Sequence, residues 1–454
     1  MHFDAIVIGS GQGGTPLANR IADKGEHVAL IEPKHLGGTC INTGCTPTKT
    51  MVASAQVAHY VQQAQRWGIR ASGFSADMEA IVRRKNEVVE SFRSGQEKRV
   101  ADRKTLSLFR NAARFVASHQ LQVGNDTLES ERIFIDTGAR ALIPDIPGIE
   151  SIPYLTNETL MELKTLPDHL IVLGGGYIGL EFGQMFRRFG SSVTVVHHGP
   201  EILAREDEDV VSELRKALGA EGVLFRLNTK TTRISGADRR VTLEFAHGQE
   251  PLTGTHLLVA TGRTPNTQAL HLNKAGIETD ARGYIKVNGR LETNVPGIWA
   301  IGDVKGGPAF THISYNDFQV IYANLFEGKN ASIDRRIVPY CVFTDPQLGG
   351  VGMTEKEARS KGFRLKIGKI PAGNVARAIE RGETAGVMKI VVDAFTDRVL
   401  GASILSADGG ELVQILHTLM LANQPYTLLD GAIYIHPTMA EGFFSLLQSV
   451  KPAG

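Results

Sequence analysis

The segment IVIGSGQGG, residues 6–14, is followed much later in the chain by a close copy of itself, IVLGGGYIG, residues 171–179. Each copy is an apolar stretch that runs into the spacing G-x-G-x-x-G. These glycines allow a tight turn and let the backbone approach a pyrophosphate at the positive end of a helix. A single copy is a weak signal, but two copies in register predict two Rossmann-like dinucleotide-binding domains. The glycines are Gly9, Gly11 and Gly14 in the first copy and Gly174, Gly176 and Gly179 in the second.

The two copies differ at the end of their second strand. In the first copy this strand, HVALIE, ends in Glu32, whose carboxylate can accept hydrogen bonds from a ribose diol. In the second copy the strand SVTVVH ends in His197, followed by His198 and later by Arg205. Histidine has an ordinary pKa of about 6.5, so we expect these rings to be partly cationic near neutral pH and to favour NADPH over NADH. Two exposed histidines in a turn are the alternative.

Two dinucleotide sites in one chain imply two dinucleotides, and the simplest pair is FAD in the first site and a nicotinamide dinucleotide in the second. Two apolar strands end in threonine-glycine turns, IFIDTGAR and LLVATGRTPN, and the segment WAIGDV places a carboxylate after a third strand. Taken alone, each of these turns is more often structural than functional. Together they add four candidate cofactor contacts, namely Thr137, Gly138, Gly262 and, for the flavin polyol, Asp303.

Length and composition limit the classes of protein that fit. A chain of 454 residues exceeds one ordinary core, and 42% hydrophobic with 21% charged residues is usual for a globular protein. A net charge of +1 gives no reason to expect a nucleic acid or a membrane as partner. The basic run at residues 83–85 is expected on a solvated helix face. No apolar run reaches membrane-spanning length, and the N-terminus enters a strand directly, so we expect a reducing, cytoplasmic location.

Two of the three cysteines, Cys40 and Cys45, lie together in the segment GGTCINTGCTPTK. In a reducing compartment such a pair is more often catalytic or metal-binding than structural. A metal clip would need further ligands, and two thiolates do not complete a tetrahedral zinc site, so no metal site is predicted. Five positions on an ideal helix rotate by about 500°. The segment must therefore be distorted if the sulfurs are to meet, and Gly44 and Pro47 make such a distortion feasible.

The surroundings of the cysteines suggest what they do. Cys45 precedes the helix-like run MVASAQVAHYVQQA, and at a helix N-terminus the dipole and the free N–H groups stabilise a thiolate. A flavin with a nearby dithiol defines a reaction in which the nicotinamide reduces the flavin and the flavin reduces a disulfide. Cys341, alone in VPYCVFTDP, is expected to be a small buried apolar residue.

These motifs resemble those of the class I pyridine nucleotide–disulfide oxidoreductases, the family of glutathione reductase, dihydrolipoamide dehydrogenase and mercuric reductase. The likeness covers essentially the whole chain and is greatest to the mercuric reductase-like flavoproteins. It implies that Cys40 is the interchange thiol that meets substrate and that Cys45 contacts the flavin ring. It further implies that Lys49 lies near flavin N5, paired with Glu181, and that Tyr177 is a lid over the nicotinamide pocket.

The C-terminal segment HPTMAEGF holds His436 and Glu441, which match the His–Glu dyad of that family. Thiol exchange needs a group that takes and returns a proton, and a histidine oriented by a carboxylate suits this role. In the family this histidine comes from the other subunit, so the resemblance implies a homodimer. Thr39 and Lys49 are counted among the cofactor-binding residues.

We therefore expect an α/β fold with two Rossmann-like dinucleotide-binding domains and a C-terminal α+β dimerisation domain. The FAD-binding domain is predicted at residues 1–148 and 282–334, and the NAD(P)H-binding domain at residues 149–281. The interface domain, an antiparallel sheet with helices, is predicted at residues 335–454.

The expected function is FAD-dependent transfer of electrons from NADPH or NADH, through a Cys40–Cys45 disulfide, to a small disulfide, a quinone or a thiophilic metal ion. Dihydrolipoamide dehydrogenase or mercuric reductase activity is the alternative within the class. A thiol-based metal-sequestering or redox-sensing flavoprotein is the alternative from another class. The family's mercuric reductases use an extra C-terminal cysteine pair, and no cysteine follows Cys341 here, so Hg(II) is expected to be a poor substrate.

Overall fold

The computed structural model describes residues 1–453. The first part of the chain forms β1 (Ala5–Ile8), α1 (Gly14–Ala22), β2 (Val28–Ile31), α2 (Gly38–Asn42), α3 (Cys45–Gln63), α4 (Met78–Ala101), β3 (Leu106–Phe109), β4 (Ala113–Ala117), β5 (Gln120–Val123), β6 (Asp126–Glu129), β7 (Ile133–Ile135) and β8 (Ala139–Ala141).

The middle of the chain repeats the alternation of strands and helices. It forms α5 (Asn157–Leu160), β9 (His169–Leu173), α6 (Tyr177–Phe189), β10 (Ser192–Val196), α7 (Glu208–Ala220), β11 (Val223–Arg226), β12 (Thr231–Ala237), β13 (Arg240–Phe245), β14 (Leu252–Gly254), β15 (His256–Val259), β16 (Arg263–Pro265), β17 (Ile298–Ala300) and α8 (Thr311–Phe326).

The last part is built around long antiparallel strands. It forms β18 (Pro339–Val342), β19 (Gln347–Gly352), α9 (Glu355–Ser360), β20 (Leu365–Pro371), α10 (Ala376–Glu380), β21 (Val387–Asp393), β22 (Val399–Ser406), α11 (Gly409–Leu421), α12 (Thr427–Asp430), α13 (Gly442–Gln448) and β23 (Lys451–Pro452).

Two parallel sheets carry the two copies of the glycine motif. The first has the order β17-β7-β1-β2-β3 and the second the order β11-β10-β9-β15. Their central strands are short apolar runs such as AIVI and VALI, in which every residue is buried. Strands covered on both faces need such continuous apolar sequence. In both sheets the glycine motif follows a central strand, β1 or β9.

The C-terminal sheet is antiparallel, with the order β18-β19-β22-β21-β20-β23, and helix α11 packs on β19 and β22. The three sheets and their helices confirm the predicted class, two Rossmann-like units followed by an α+β unit. Within residues 1–453 no helix is both long enough and apolar enough to cross a bilayer.

One expectation about α4 is wrong in part. Arg83 and Arg84 are exposed, as expected for a solvated face, but Lys85 is only 2% exposed. Lys85 shares the buried stripe of the helix with Val82 and Val89, and its ammonium forms an ion pair with Glu162. The helical period therefore decides which member of the basic run is buried.

Candidate active site

A cavity of about 1530 Å³ opens between the first glycine loop, the cysteine segment and the start of β18. Its walls include Gly9, Cys40, Cys45, Tyr177 and Cys341. Nine further predicted residues also line it: Gly11, Glu32, Thr39, Lys49, Thr137, Gly138, Glu181, Gly262 and Asp303. The fold thus brings most of the predicted flavin-side residues to one cavity.

The first glycine loop has the shape that a pyrophosphate needs. Gly9 has a φ of +104°, which favours glycine, and a Cβ on Gly14 would lie 2.3 Å from the Gly9 carbonyl oxygen. Glu32, at the end of β2, accepts hydrogen bonds from the Ser10 hydroxyl at 2.7 Å and from the Lys34 N–H at 2.9 Å. The loop, the start of α1 and a carboxylate at the end of the second strand fit the pyrophosphate and ribose of FAD.

The second glycine loop repeats this geometry. Gly174 has a φ of +121°, and a Cβ on Gly179 would lie 2.4 Å from the Gly174 carbonyl oxygen. A Cβ on Gly176 would meet no heavy atom within 4 Å, so the space beside this glycine is open. Helix α6 begins at Tyr177, directly after the loop. These residues fit a second dinucleotide at the helix N-terminus.

The expectation of a cationic His197 is wrong. Burial and the neighbouring His198 ring, 4.7 Å away between centroids, both lower the pKa of His197. Its Nδ1 also accepts the Gly175 N–H at 3.3 Å, which requires an unprotonated nitrogen. His197 is therefore neutral near neutral pH and supports the glycine loop. His198 and Arg205 are exposed.

The cysteine segment is broken into two helices, as the geometry of a redox pair requires. Helix α2 ends at Asn42 and α3 begins at Cys45, with Thr43 and Gly44 outside helical dihedral angles. The expected distortion is thus confirmed at Gly44. Pro47 is the third residue of α3, where its missing N–H costs no intrahelical bond.

The two thiols, both free, differ sharply in acidity. A hydrogen bond from Cys40, then the Thr311 hydroxyl and the Lys49 ammonium, lower the pKa of Cys45 to about 6 against the effect of burial. The bond to Cys45 and burial raise the pKa of Cys40 well above its ordinary value. The Cys45 sulfur lies 3.2 Å from the Thr311 oxygen. Cys45 is therefore the more acidic sulfur of the pair, and Cys40 is the one that keeps its proton.

Lys49 lies one helical turn after Cys45 and is compensated by a buried carboxylate. Its ammonium is 2.6 Å from Glu181 on α6, and Glu181 is only 4% exposed. The other Glu181 oxygen accepts the Phe343 N–H at 2.9 Å, and Lys49 lies over the Phe343 ring, 4.5 Å from its centroid. Because both oxygens of Glu181 have partners, the carboxylate holds the Lys49 ammonium in one position at the cavity wall.

Arg263, which was not predicted from the sequence, lies close to both Asp303 and Tyr177. The Arg263 guanidinium lies 3.1 Å from the Asp303 carboxylate, and burial raises the pKa of the nearby Tyr177 hydroxyl against the smaller, lowering effect of the Arg263 charge. Thr137 donates to the Asn266 carbonyl at 2.9 Å, so the two threonine-glycine turns lie together. Strands β8 and β16 pair in this region. Gly138 and Gly262 both have positive φ, +68° and +151°.

Two further residues were not found from the sequence. Thr311, which contacts Cys45, is separated from it by more than half of the chain, so no local signal exists. Asp136 is buried and accepts the Gly14 N–H at 2.7 Å, and burial raises its pKa well above the ordinary value. A charged residue at the end of the apolar strand β7 was a signal that could have identified Asp136.

The C-terminal dyad forms but lies away from the cavity of its own chain. His436 Nδ1 is 2.8 Å from the Glu441 carboxylate, and the His436 side chain is 73% exposed. His436 is absent from the walls of the cavity that holds Cys40 and Cys45. Ile433 and Ile435, which precede it, are 101% and 77% exposed.

Cys341 is half-buried and lines the cavity, so it is less enclosed than expected. Burial raises the pKa of its thiol to about 12, which keeps it protonated. Across residues 1–453, no group of three or more His, Cys, Asp or Glu side chains is placed to hold a metal ion.

Comparisons with known proteins agree with this geometry. A family model described as "Pyridine nucleotide-disulphide oxidoreductase" matches residues 3–317, and its dimerisation-domain counterpart matches residues 338–446. The chain is 40% identical to the probable pyridine nucleotide-disulfide oxidoreductase RclA of Escherichia coli, over 99% of each chain. It is 34% identical to a mercuric reductase of Lysinibacillus sphaericus, over 97% of this chain and 81% of the relative.

The chain is also similar to a relative with a different activity and to a protein of solved structure. A dihydrolipoyl dehydrogenase of Thermus scotoductus is 36% identical, over 99% of this chain and 97% of the relative. The Cu(II) complex of the HOCl-induced flavoprotein disulfide reductase RclA superposes with a TM-score of 0.91 at 39% identity, covering 98% of this chain and all of that one. The chain thus belongs to the pyridine nucleotide-disulfide oxidoreductases and is an FAD-dependent disulfide reductase with NAD(P)H as electron donor.

Proposed function

We propose that this protein passes electrons from NAD(P)H through the Cys40–Cys45 pair to a small oxidant that meets Cys40. The unequal thiol pair carries this proposal. A Cys45 sulfur with a pKa of about 6 lies beside Thr311 and Lys49, in the cavity that also holds the first glycine loop. A cysteine that is a thiolate at neutral pH is already in its reactive, electron-rich form beside the electron acceptor.

Bound FAD supplies the two-electron connection between the nicotinamide and the thiols. Lys49, held by Glu181, places a positive charge on the wall of the cavity, and Tyr177 covers the nicotinamide side. Cys40 attacks one sulfur of a substrate disulfide and releases the first thiol. Cys45 then attacks the Cys40 sulfur, releases the second thiol and closes the Cys40–Cys45 disulfide. One leaving sulfur takes the proton of Cys40, and the other takes a proton from solvent, because Cys45 starts as a thiolate.

The proton is handled by a histidine from the second subunit in a homodimer. Within one chain the His436–Glu441 dyad lies outside the cavity, with exposed Ile433 and Ile435 beside it. The match of residues 338–446 to a dimerisation domain supports this arrangement. The partner's His436 takes the proton of Cys40 and returns it to the leaving thiol.

A metal ion is a second candidate for the substrate. RclA, 39% identical, has been solved as a Cu(II) complex. By analogy, two Cu(II) ions would each accept one electron from the reduced pair, giving two Cu(I), the Cys40–Cys45 disulfide and one proton. Dihydrolipoamide dehydrogenase activity is the alternative within the family, because that relative is nearly as similar.

We also propose a modest preference for NADPH, since Arg205 is exposed on the loop after β10 and its side chain forms no hydrogen bond or ion pair within residues 1–453. Neutral His197 adds nothing to this preference.

We propose that residues 1–148 and 282–334 form the FAD-binding domain, residues 149–281 the NAD(P)H-binding domain and residues 335–454 the interface domain. A reducing, cytoplasmic location suits a thiol pair that must return to its reduced form.

Anaerobic reduction tests the proposal. The purified protein should be yellow, should bleach with NADPH and should be reoxidised by a small disulfide, a quinone or Cu(II). Cys40→Ser serves as the matched control, since it should bleach but lose reoxidation by disulfides. A colourless protein that binds Cu(II) or Hg(II) tightly and oxidises no NAD(P)H would favour the metal-sequestering alternative.

A further inference from the structure

A tyrosine on β18 binds a carboxylate from the loop that follows β10. The Tyr340 hydroxyl donates to Glu206 and lies 2.6 Å from each of its carboxylate oxygens. The ring has room because Gly350 lies opposite it on β19, where a Cβ would be 2.2 Å from the ring. Burial raises the pKa of Tyr340, so its hydroxyl stays protonated and remains a donor. This bond joins the second dinucleotide unit to the C-terminal sheet.

The Tyr340 ring continues into an aromatic stack at the wall of the cavity. The Phe310 ring is nearly parallel to two others, with centroids 6.0 Å from Tyr340 and 5.3 Å from His312. Tyr177 packs against the same Phe310 ring at 6.1 Å. Phe310 is also the residue that directly precedes α8. Aromatic pairs at these separations attract one another beyond the effect of burial, which favours this arrangement of the rings.

The residue after Phe310 connects the aromatic cluster to the reactive sulfur. Thr311 lies between Phe310 and His312 in the chain, and its hydroxyl is 3.2 Å from Cys45 Sγ. That hydroxyl is one of the groups that lower the pKa of Cys45. A shift of Tyr340 would thus reach the Cys45 thiol through Phe310 and Thr311.

The contacts through Phe310 and Tyr340 begin at Glu206, in the loop after β10 of the nicotinamide-binding unit. Arg205, the candidate contact for the extra phosphate, directly precedes Glu206. The next residue, Asp207, is held separately: it accepts the Glu355 N–H at 3.0 Å and pairs with Lys389 at 3.1 Å. Since Asp207 fixes the base of the loop, Glu206 is the point where movement at Arg205 would act on β18.

We propose that the Glu206–Tyr340–Phe310 line is a positioning device that couples dinucleotide binding at Arg205 to the reactivity of Cys45. This inference rests on the proposed roles of Arg205 and Cys45. Coupling between two sites is reciprocal, so the dinucleotide changes the proton affinity of Cys45 by the same factor by which the proton changes dinucleotide affinity.

The test uses the holoenzyme with Cys40→Ser as the parent, so that Cys45 is the redox thiol that remains. The long-wavelength absorbance of its thiolate beside the flavin is titrated against pH, with and without saturating NADP⁺, which cannot reduce the protein. Binding of NADP⁺ is measured separately by calorimetry. In the parent, NADP⁺ should change the thiolate-to-thiol ratio by roughly fivefold or more, as expected for an ordinary allosteric coupling.

Adding Tyr340→Phe or Glu206→Gln should reduce this change to less than half, because only the direct electrostatic effect of NADP⁺ remains. Asp209→Asn is the matched control: Asp209 pairs with Lys369 at 2.7 Å and Lys389 at 3.0 Å across the same junction, away from the stack. It should keep the full change. Equal changes in all variants, or no change in a parent that binds NADP⁺, would overturn the coupling. Absence of NADP⁺ and NAD⁺ binding would instead refute the proposed function, and the coupling with it.

Discussion

At the scale of single residues, the two cysteines illustrate how position sets chemistry. Both lie in one short segment, and the sequence was enough to identify them because their spacing and flanking glycines are local features. Their acidities were only partly predictable. The helix start at Cys45 could be inferred, but Thr311, Asp136 and Arg263 reach the site through contacts between distant parts of the chain. The sequence contains no period or spacing that records such contacts.

The acidity of Cys45 gives the first prediction. In the reduced wild-type protein, the long-wavelength absorbance of a thiolate beside the flavin should be present above pH 6 and lost as the pH falls through about 6, the pKa of Cys45. The sign follows from a lowered pKa, which keeps the charged form at pH values where an ordinary cysteine is protonated. Absorbance spectra across pH measure it.

Substitutions separate the two sulfurs. Cys40→Ser should retain this absorbance even in the oxidised protein, and Cys45→Ser should lack it at every pH. The opposite pattern would assign the flavin-side role to Cys40.

Arg205 gives the second prediction. Arg205→Ala should raise the KM for NADPH by roughly tenfold, which corresponds to about 1.4 kcal/mol of lost phosphate contact, and should leave the KM for NADH unchanged. His197→Ala is the control, because a neutral ring bonded to Gly175 makes no charge contact with a phosphate. Steady-state kinetics with both donors measure the effect. Unchanged NADPH kinetics in Arg205→Ala would remove the preference.

At the scale of elements, the break between α2 and α3 is what lets the two sulfurs meet. The helix-geometry argument predicted a distortion, and the structure places it at Thr43 and Gly44. The burial of Lys85 on α4 shows that charge alone does not predict exposure. Lys85 follows the helical period of Val82 and Val89, which places it on the buried stripe. The pairing of β18 with β19, which places Tyr340 over Gly350, depends on register and could not be derived from either strand alone.

The third prediction tests the break. Gly44→Ala should destabilise the protein by about 1–3 kcal/mol, because the added Cβ would lie 2.8 Å from the Thr39 carbonyl oxygen. It should also weaken the thiolate absorbance, since the displaced segment carries both cysteines. Denaturant unfolding followed by fluorescence measures the first effect.

Gly95→Ala in the middle of α4 is the matched control. A Cβ there meets nothing closer than 3.7 Å, and replacing a helical glycine with alanine stabilises by roughly 0.5–1 kcal/mol. If Gly44→Ala proved as stable as wild type with full absorbance, the break would not be needed to position the thiols.

At the scale of the whole molecule, one chain supplies all the residues of the proposed electron path. In our proposal, the histidine that handles the proton at that site comes from the other chain. The two parallel sheets and the C-terminal antiparallel sheet were predictable because repeated glycine motifs and apolar strands are strong sequence signals. The division of the active site between two chains was inferred only from the family resemblance. The outward position of the dyad and its exposed apolar neighbours agree with that inference.

The most direct test is therefore complementation in a mixed dimer of one Cys40→Ser subunit and one His436→Ala subunit, purified with two different affinity tags. Each parent homodimer should reduce a small disulfide at least about a hundredfold more slowly than wild type, while His436→Ala alone should still be bleached normally by NADPH. In the mixed dimer, the intact Cys40 of one chain faces the intact histidine of the other. We predict recovery to about half of the wild-type rate, one working site of two. A mixed dimer as inactive as its parents would contradict the account, because it would mean that each dyad serves the thiols of its own chain.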